Sequence, residues 1–485
     1  MSVDTGGREA KTSRLPLAGV RVIDLSYVFA IPYAGGLLAD LGAEVIKIEA
    51  PDRLDQTRSA FGPFLDNDPG EEPWERTGIF QVLNRGKRSF VLDMRDPLGR
   101  DLFKRLVAKS DIVLDNYTPR VMRGWGLEYA ELRKVNPGII MVSNTGYGST
   151  GPWANFPSQG TTLEVTMGIA NCTGYAGDVP WKVGQSYPDF LACWTALLSV
   201  LAALHYRRKT GEGQWIDLGM YQVGVALIPE PILRYQCDGS DWPRVGNHHW
   251  WKAPHNVYPA QGRDSWVAIS IGSEEQWRHF AGAAGLDRLI SDERFDTALN
   301  RWRNRQELDR IIAGWTAGLP AEEVMHRLQA VGVAAGPVWN SRDLLTNEHL
   351  RQRQFYETVV HPQPIGARPI IGRPFKLASA ELRATAAAPR FGEGNRYVLS
   401  EVLGLSEAEV ERLREAGVVA DRPRVVVVGA PLNLEYLQRV GAIAEVDRNY
   451  GEKLAMAEPA TNEAMSDGDP AESRRAGPRS HNLNV

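Results

Sequence analysis

Short β-branched runs alternate with helix-like runs through the first 150 residues, and this order restricts the fold more than any other feature. "GVRVIDL" (19–25) is apolar, β-branched and bounded by glycine, so it predicts a buried strand. "PYAGGLLADLG" (32–42) predicts a helix, with proline in its first turn and glycine just past its end. "AEVIKIE" (43–49) predicts a second strand. A βαβ unit of this kind makes the two strands parallel with a right-handed crossover. The pattern repeats in "SFVLDM" (89–94), "DPLGRDLFKRLVAKS" (96–110) and "DIVLDN" (111–116). It continues in "YAELRKVN" (129–136) and "GIIMVSNTGYG" (138–148). The fold class is therefore α/β, with a large Rossmann-like parallel sheet.

A chain of 485 residues exceeds one compact core. Residues 1–14 form a polar arm, and 15–224 carry the first part of the α/β domain. Residues 225–330 change texture: they are rich in Trp and Pro, with short strands such as "WVAISI" (266–271), and predict a smaller α+β domain. Residues 331–423 read as a return to the first domain. Residues 424–485 form a C-terminal extension whose last thirty or so polar residues are expected to be disordered.

The net charge of −4 gives no field of one sign, so neither nucleic acid nor an anionic membrane is expected as a partner. Cys172, Cys193 and Cys237 are too few and too scattered for a disulfide framework or a zinc motif. The N-terminus lacks the apolar segment of a signal peptide, and the longest apolar run, Leu191 to Leu204, fits a core helix better than a membrane span. A cytoplasmic protein with reduced thiols is expected.

Glu49, ending the second strand, stands where a ribose-binding acid would be. The preceding turn, "LSYVFAIPYAGG", has no G-x-G-x-x-G, and Tyr27, Phe29 and Ile31 occupy places where backbone must approach a pyrophosphate, which argues against NAD. His248 and His249 are adjacent and have no ligand-like acids nearby, so no metal is expected. No G-x-S-x-G elbow, Walker loop or H-E-x-x-H occurs. Asp189, in "SYPDFLACW", follows proline and opens the long apolar helix, the position of an N-cap. The same position favours an ionised carboxylate, the form a nucleophile needs.

Five ordered blocks resemble the class III CoA-transferases, the formyl-CoA and carnitine CoA-transferase family. They are "LAGVRVIDLSYVFAIPYAGGLLADLGAEVIKIEAPDRLDQTR" (17–58), "LNRGKRSFVLDMRDPLGRDLFKRLVAKSDIVLDNYTPRVMRGWGL" (83–127), "NTGYGSTGP" (144–152), "DFLACWTALLSVLAALHYRRKTGEGQWIDLGMYQ" (189–222) and "FGEGN…LGLSEAEVERLREAGVV" (391–419). The resemblance implies a large domain built from both chain ends, a smaller inserted domain, and a homodimer of interlocked subunits. It places the family's nucleophilic aspartate on Asp189, which would attack an acyl-CoA thioester and pass through a mixed anhydride while CoA moves to a carboxylic acid. Val28, Phe29 and Ala30 would line the pantetheine path, Leu92 and Arg95 would lie by the adenine and its phosphates, and Asn116 and Tyr117 would continue the cleft. Arg123, one position before the family's usual arginine, would meet a phosphate. Phe61, Gln159 and Gly160 fall near the acyl group. Gly272, in "SIGSEEQW" (270–277), belongs to the candidate glycine loop of the small domain.

Several departures accompany the resemblance. Phe29 stands where transferases often have Gln, "AIP" replaces "AGP", and "PSQGTT" replaces a segment that commonly holds "YD" or "YE". The related α-methylacyl-CoA racemases need a second acid/base, a His about thirty residues before the aspartate; Gln159 occupies that place and cannot titrate. A transferase is therefore favoured over a racemase. An isomerase moving CoA within one molecule, or a non-catalytic CoA-binding protein, stays compatible with the sequence. Phe61, with Trp242, Trp250 and Trp251, is compatible with a bulky or aromatic acid as substrate, though packing of the two domains accounts for these aromatics more simply.

Overall fold

The computed structural model describes residues 15–59, 63–184, 187–362, 365–384, 386–427 and 429–456. The polar arm, Phe61 and the polar C-terminal residues read as disordered lie outside the described residues.

Six parallel strands form the main sheet: β1 (Arg21–Asp24), β2 (Glu44–Glu49), β3 (Lys87–Val91), β4 (Ile112–Asp115), β5 (Ile140–Thr145) and β6 (Trp215–Gly219). Their order is β3-β2-β1-β4-β5-β6, so the winding reverses between β1 and β4. In register, Val22 of β1 lies opposite Val45 of β2 and Ile112 of β4.

Side chains alternate between the two faces of each strand, as a period of two requires. Val22, Val45, Ile112 and Ile140 point to one core, shared with the helix Ala30–Asp40 and the long helix Tyr187–Thr210. Their neighbours Ile23, Ile46, Val113 and Met141 point to the other, shared with the helix Pro97–Val107 and with Val398, Leu399 and Val402 from the far end of the chain. A sheet covered on both faces explains why its strands read as nearly continuous apolar runs. The long helix is long and apolar enough to cross a membrane by composition alone, but half of its apolar window is buried within the protein. Ala192, Cys193, Ala196, Leu197, Val200 and Leu204 form the buried stripe.

A second sheet is antiparallel, with β7 (His255–Pro259), β8 (Trp266–Ser270) and β9 (Ala334–Pro337) around a separate core of Tyr258, Trp277, Phe280, Leu308, Ile312 and Leu328. The boundary expected after residue 330 shifts here. Ala334–Pro337 pairs with β8, Val267 lying opposite Pro337, so this unit runs on to Pro337. A hairpin of β10 (Tyr356–His361) and β11 (Gly366–Ile371) follows.

Charged side chains are buried beside the main sheet. Lys87 Nζ donates to Asp24 Oδ2 at 2.6 Å, to the Pro32 carbonyl at 2.6 Å and to Asn84 Oδ1 at 2.8 Å. Burial pulls the Lys87 amine down to about 8 even with Asp24 alongside. Gly35 makes room for this pair, because a Cβ there would press on Asp24 Oδ2 and the end of the Lys87 side chain. Arg58 forks onto Glu49 at 2.8 and 3.0 Å, reaches Glu75 at 2.8 Å and lies 3.6 Å over the Phe80 ring.

Breaking such a pair from one side strands a buried charge. Lys87→Met is expected to lower unfolding free energy by about 3–5 kcal/mol, read by urea denaturation. The Asp24→Asn/Lys87→Met double variant is expected to recover a substantial part of that loss.

Candidate active site

The loop leaving β1, Leu25 to Phe29, is fixed from four sides. Lys47 of β2 donates to the Ser26 carbonyl at 2.8 Å. Asp24 Oδ1 accepts the Ser26 N–H at 3.0 Å and also its hydroxyl. Asn116, just past β4, clamps Tyr27 from both directions: its Nδ2 donates to the Tyr27 carbonyl at 2.6 Å and its Oδ1 accepts the Tyr27 N–H at 3.1 Å. Asp55 Oδ1 accepts the Val28 N–H at 3.2 Å and both donors of Thr57 at 2.9 and 2.7 Å. Burial alone would raise the Asp55 carboxyl; the Lys47 ammonium 3.0 Å away and the Thr57 donors outweigh it and hold it below its usual value.

This clamping matters because Val28 has φ +73°, a left-handed conformation that a β-branched side chain avoids. Such a residue costs about 1–3 kcal/mol and persists only where its surroundings over-determine it. Two residues on, Ala30 opens the first helix, and its N–H stabilises the ionised Asp189 carboxylate.

Asp189 is the third residue of the described long helix, which begins at Tyr187. It therefore sits within the first turn rather than at the expected cap, and its own N–H also stabilises the ionised carboxylate. Two helix N-termini thus face one buried carboxylate, 8% exposed. The sequence led to the expectation that the helix end would favour ionisation. Those donors do pull downwards, but burial is stronger and pushes the Asp189 carboxyl up to about 6. Gly160, at the start of the helix Gly160–Thr166, packs directly on Asp189: a Cβ at 160 would overlap the carboxylate oxygen. No other residue type fits there while Asp189 keeps its place.

These parts enclose a cleft of about 210 Å³ at the carboxyl ends of β1 and β4, where the strand order reverses. Open α/β sheets bind ligands at such a point. Val28, Phe29, Ala30, Asn116, Gln159, Gly160 and Asp189 come together in its lining. Gln56, Asn144, Ser158 and Met220 join them.

The remaining residues singled out in the sequence lie elsewhere. Leu92 is enclosed in the core with Phe90 and Ile48. Arg95 is exposed and forked between Asp93 and Asp52. Tyr117 packs between Tyr27 and Trp125, with centroids at 5.2 and 5.0 Å. Tyr117 and Arg123 line a neighbouring cavity of about 220 Å³ with Asp115, whose carboxyl burial raises to about 7. Arg123 pairs with Glu128 at 3.1 Å. Gly272 N–H donates to Gln276 Oε1 at 2.9 Å, outside the cleft. Trp242 packs edge to face on Trp250 at 5.2 Å and neither lines the cleft. Among the described residues, no group of three or more His, Cys, Asp or Glu is placed to hold a metal ion.

The model of CoA-transferase family III matches residues 17–395. The chain belongs to that family. It is 35% identical to the succinyl-CoA–D-citramalate CoA-transferase of Chloroflexus aurantiacus, over 83% of this chain and 98% of that protein. It is 31% identical to the succinate–glutarate CoA-transferase of Agrobacterium fabrum, over 80% of this chain and 96% of that one. A CaiB/BaiF family protein from Brucella suis superposes with a TM-score of 0.72 at 30% identity, covering 80% of this chain and 99% of that structure. The chain is thus an enzyme of the class III CoA-transferases.

For this transferase the raised Asp189 carboxyl carries a sign. A carboxyl free in the unfolded chain titrates near ~3.9, so the folded protein takes up a proton between that pH and about 6. The stability this group supports is full below about pH 4 and is lost as pH rises through 6, by at most ~3 kcal/mol. Asp189→Asn is expected to melt higher than the wild type at pH 7.5, with the difference vanishing near pH 4, by calorimetry across that range.

Proposed function

We propose that this enzyme transfers CoA between carboxylic acids by covalent catalysis on Asp189. The observation that carries the reading is one buried carboxylate facing two helix N-termini, against a glycine that admits no side chain, at the switch point of the sheet.

The Asp189 carboxylate attacks the thioester carbonyl of an acyl-CoA. The tetrahedral oxyanion collapses, the C–S bond breaks, and an aspartyl–acyl anhydride and the CoA thiolate form. The thiolate, held nearby, attacks the aspartyl carbonyl, which releases the first acid as its carboxylate and leaves an aspartyl-CoA thioester. The acceptor carboxylate then attacks that thioester and expels the thiolate. The thiolate takes the new acyl group from the second anhydride and restores Asp189. Each later attack is effectively intramolecular, which is where most of the rate arises. The Ala30 N–H, held by the clamped loop, faces the reacting carboxyl and serves charge that develops there.

The named relatives use succinyl-CoA or succinate with citramalate or glutarate, so a succinyl donor and a short dicarboxylic acceptor are preferred here over an aromatic acid. A racemase would need a second titrating group across the cleft, and no histidine is among the residues lining it. The protein acts as an interlocked homodimer in the cytoplasm. Val165, Leu198, Leu233 and Trp251 stand 55–69% exposed, apolar surface that a second subunit would cover.

Hydroxylamine added during turnover with succinyl-CoA is expected to convert Asp189, and no other carboxyl, to a hydroxamate detectable by peptide mass spectrometry. Asp189→Ala is expected to lose at least ~10³-fold in kcat while retaining CoA binding. Turnover retained in that variant rejects the covalent route. With solvent deuterium present, transfer without α-deuterium uptake separates transferase from racemase.

Leu198 is 69% exposed on the long helix. Leu198→Asp is expected to shift the protein from dimer to monomer in light scattering after size-exclusion chromatography. An unchanged dimer removes this face from the interface.

A further inference from the structure

Residues 424–456 lie beyond the family match at 17–395 and run back over the segment that follows β2. Arg424 N–H donates to the Pro51 carbonyl at 2.8 Å, and Gly429 N–H donates to the Ser59 carbonyl at 2.9 Å. Asn67 and Leu432 pair reciprocally: Asn67 Nδ2 donates to the Leu432 carbonyl at 2.9 Å and Leu432 N–H donates to Asn67 Oδ1 at 2.8 Å. The Tyr450 hydroxyl donates to Asp66 at 2.6 Å, and Arg368 pairs with the same carboxylate.

The segment held by these attachments also contributes to the cleft. Pro51 and Ser59 bracket Asp55 and Gln56. Asp55 accepts the Val28 N–H, and Gln56 lines the cleft that holds Asp189. Asp66 and Asn67 are consecutive residues at φ +59° and +55°, a conformation that two non-glycine residues hold only with support. The support comes from Arg368, Leu432 and Tyr450.

From this geometry we infer that residues 424–456 are a strap that fixes the Pro51–Ser59 wall of the cleft from outside and thereby sets which carboxylic acid the enzyme accepts. Asn67 and Tyr450 are its positioning residues, and neither touches the reacting atoms. The specificity part rests on the CoA-transferase reading; the mechanical part does not. A wall held at both ends keeps Gln56 at a fixed distance from Asp189, so acids of different length are discriminated by the room left for them. Released, the wall relaxes and discrimination falls.

The test uses the full-length chain with Asn67→Ala, Tyr450→Phe and the double variant. Hydrogen exchange read by mass spectrometry is expected to rise about tenfold at the amides of 28–30 and 55–59 in the double variant. A rise confined to 424–456 and Asp66–Asn67 overturns the strap. With succinyl-CoA as donor, the ratio of kcat/KM for glutarate to that for malate is expected to shift at least about threefold, through KM for the acceptor, with KM for succinyl-CoA unchanged. Faster exchange at the wall with an unmoved ratio overturns the specificity role. A wild type that transfers no CoA overturns the transferase reading instead, and the exchange result still decides the strap.

Discussion

Asp189, the proposed nucleophile, depends on a buried ionic clamp around one loop. Asp24, Lys47, Asp55 and Lys87 are each almost fully withdrawn from water, and between them they hold Ser26 and Val28 by their backbone groups. Burying charges in this way is weak evidence for stability, since well-packed apolar residues often do as well. Apolar packing, however, cannot hold a peptide N–H in a chosen direction. The clamp does, and it holds Val28 in a conformation that valine resists. The direction of the Ala30 N–H toward Asp189 follows from that loop, so the electrostatics of this carboxyl are set two residues beyond the clamp.

The same economy appears at the edge of the sheet. β3 is an edge strand, and its free backbone groups would invite pairing with another chain. Residues 392–395, returning from the far end of the sequence, cover that edge. Gly394 N–H donates to the Ser89 carbonyl at 2.7 Å, Asn395 Oδ1 accepts the Val91 N–H at 2.8 Å, and Ser89 Oγ accepts from Gly392 at 2.9 Å. Arg58 adds a bond to the Pro389 carbonyl at 2.8 Å while it neutralises Glu49. The Glu49 that a dinucleotide-binding reading would offer to a ribose is therefore fully engaged in joining the two ends of the chain.

β1, β2, β4 and β5 were legible because they carry β-branched residues on both faces, the pattern of a sheet covered on both sides. β6 was not, since "WIDLG" is partly exposed and mixes polar with apolar residues. β9 escaped for a different reason: "AAGP" has no branched side chain, and only its pairing with β8 makes it a strand. At the site, Asp189 stood out as an acid at the mouth of an apolar helix. The clamp did not, because the partners of Lys47 and Lys87 are fixed only by tertiary packing. Asn116 lines the cleft with Asp189, and its amide is used on both sides of Tyr27. The reciprocal pair between Asn67 and Leu432 spans 365 residues, and no local pattern announces it.

The elevated Asp189 carboxyl bears on how the proposed anhydride divides. Attack of the CoA thiolate at the aspartyl carbonyl expels the substrate acid; attack at the other carbonyl expels Asp189 and merely reverses the first step. The more weakly basic carboxylate leaves faster. Burial raises the Asp189 carboxyl, so a substrate carboxylate that departs into water is the more weakly basic of the two and the better leaving group. Burial thus biases the intermediate toward aspartyl-CoA, the species that can meet a different acid. A carboxylate stabilised fully by its two helix termini would be a weaker nucleophile and a better leaving group, which would favour return to the starting thioester. On this reasoning the desolvation of Asp189 is part of the transfer chemistry, and the glycine at 160 that lets the carboxylate sit so deep is a condition for it.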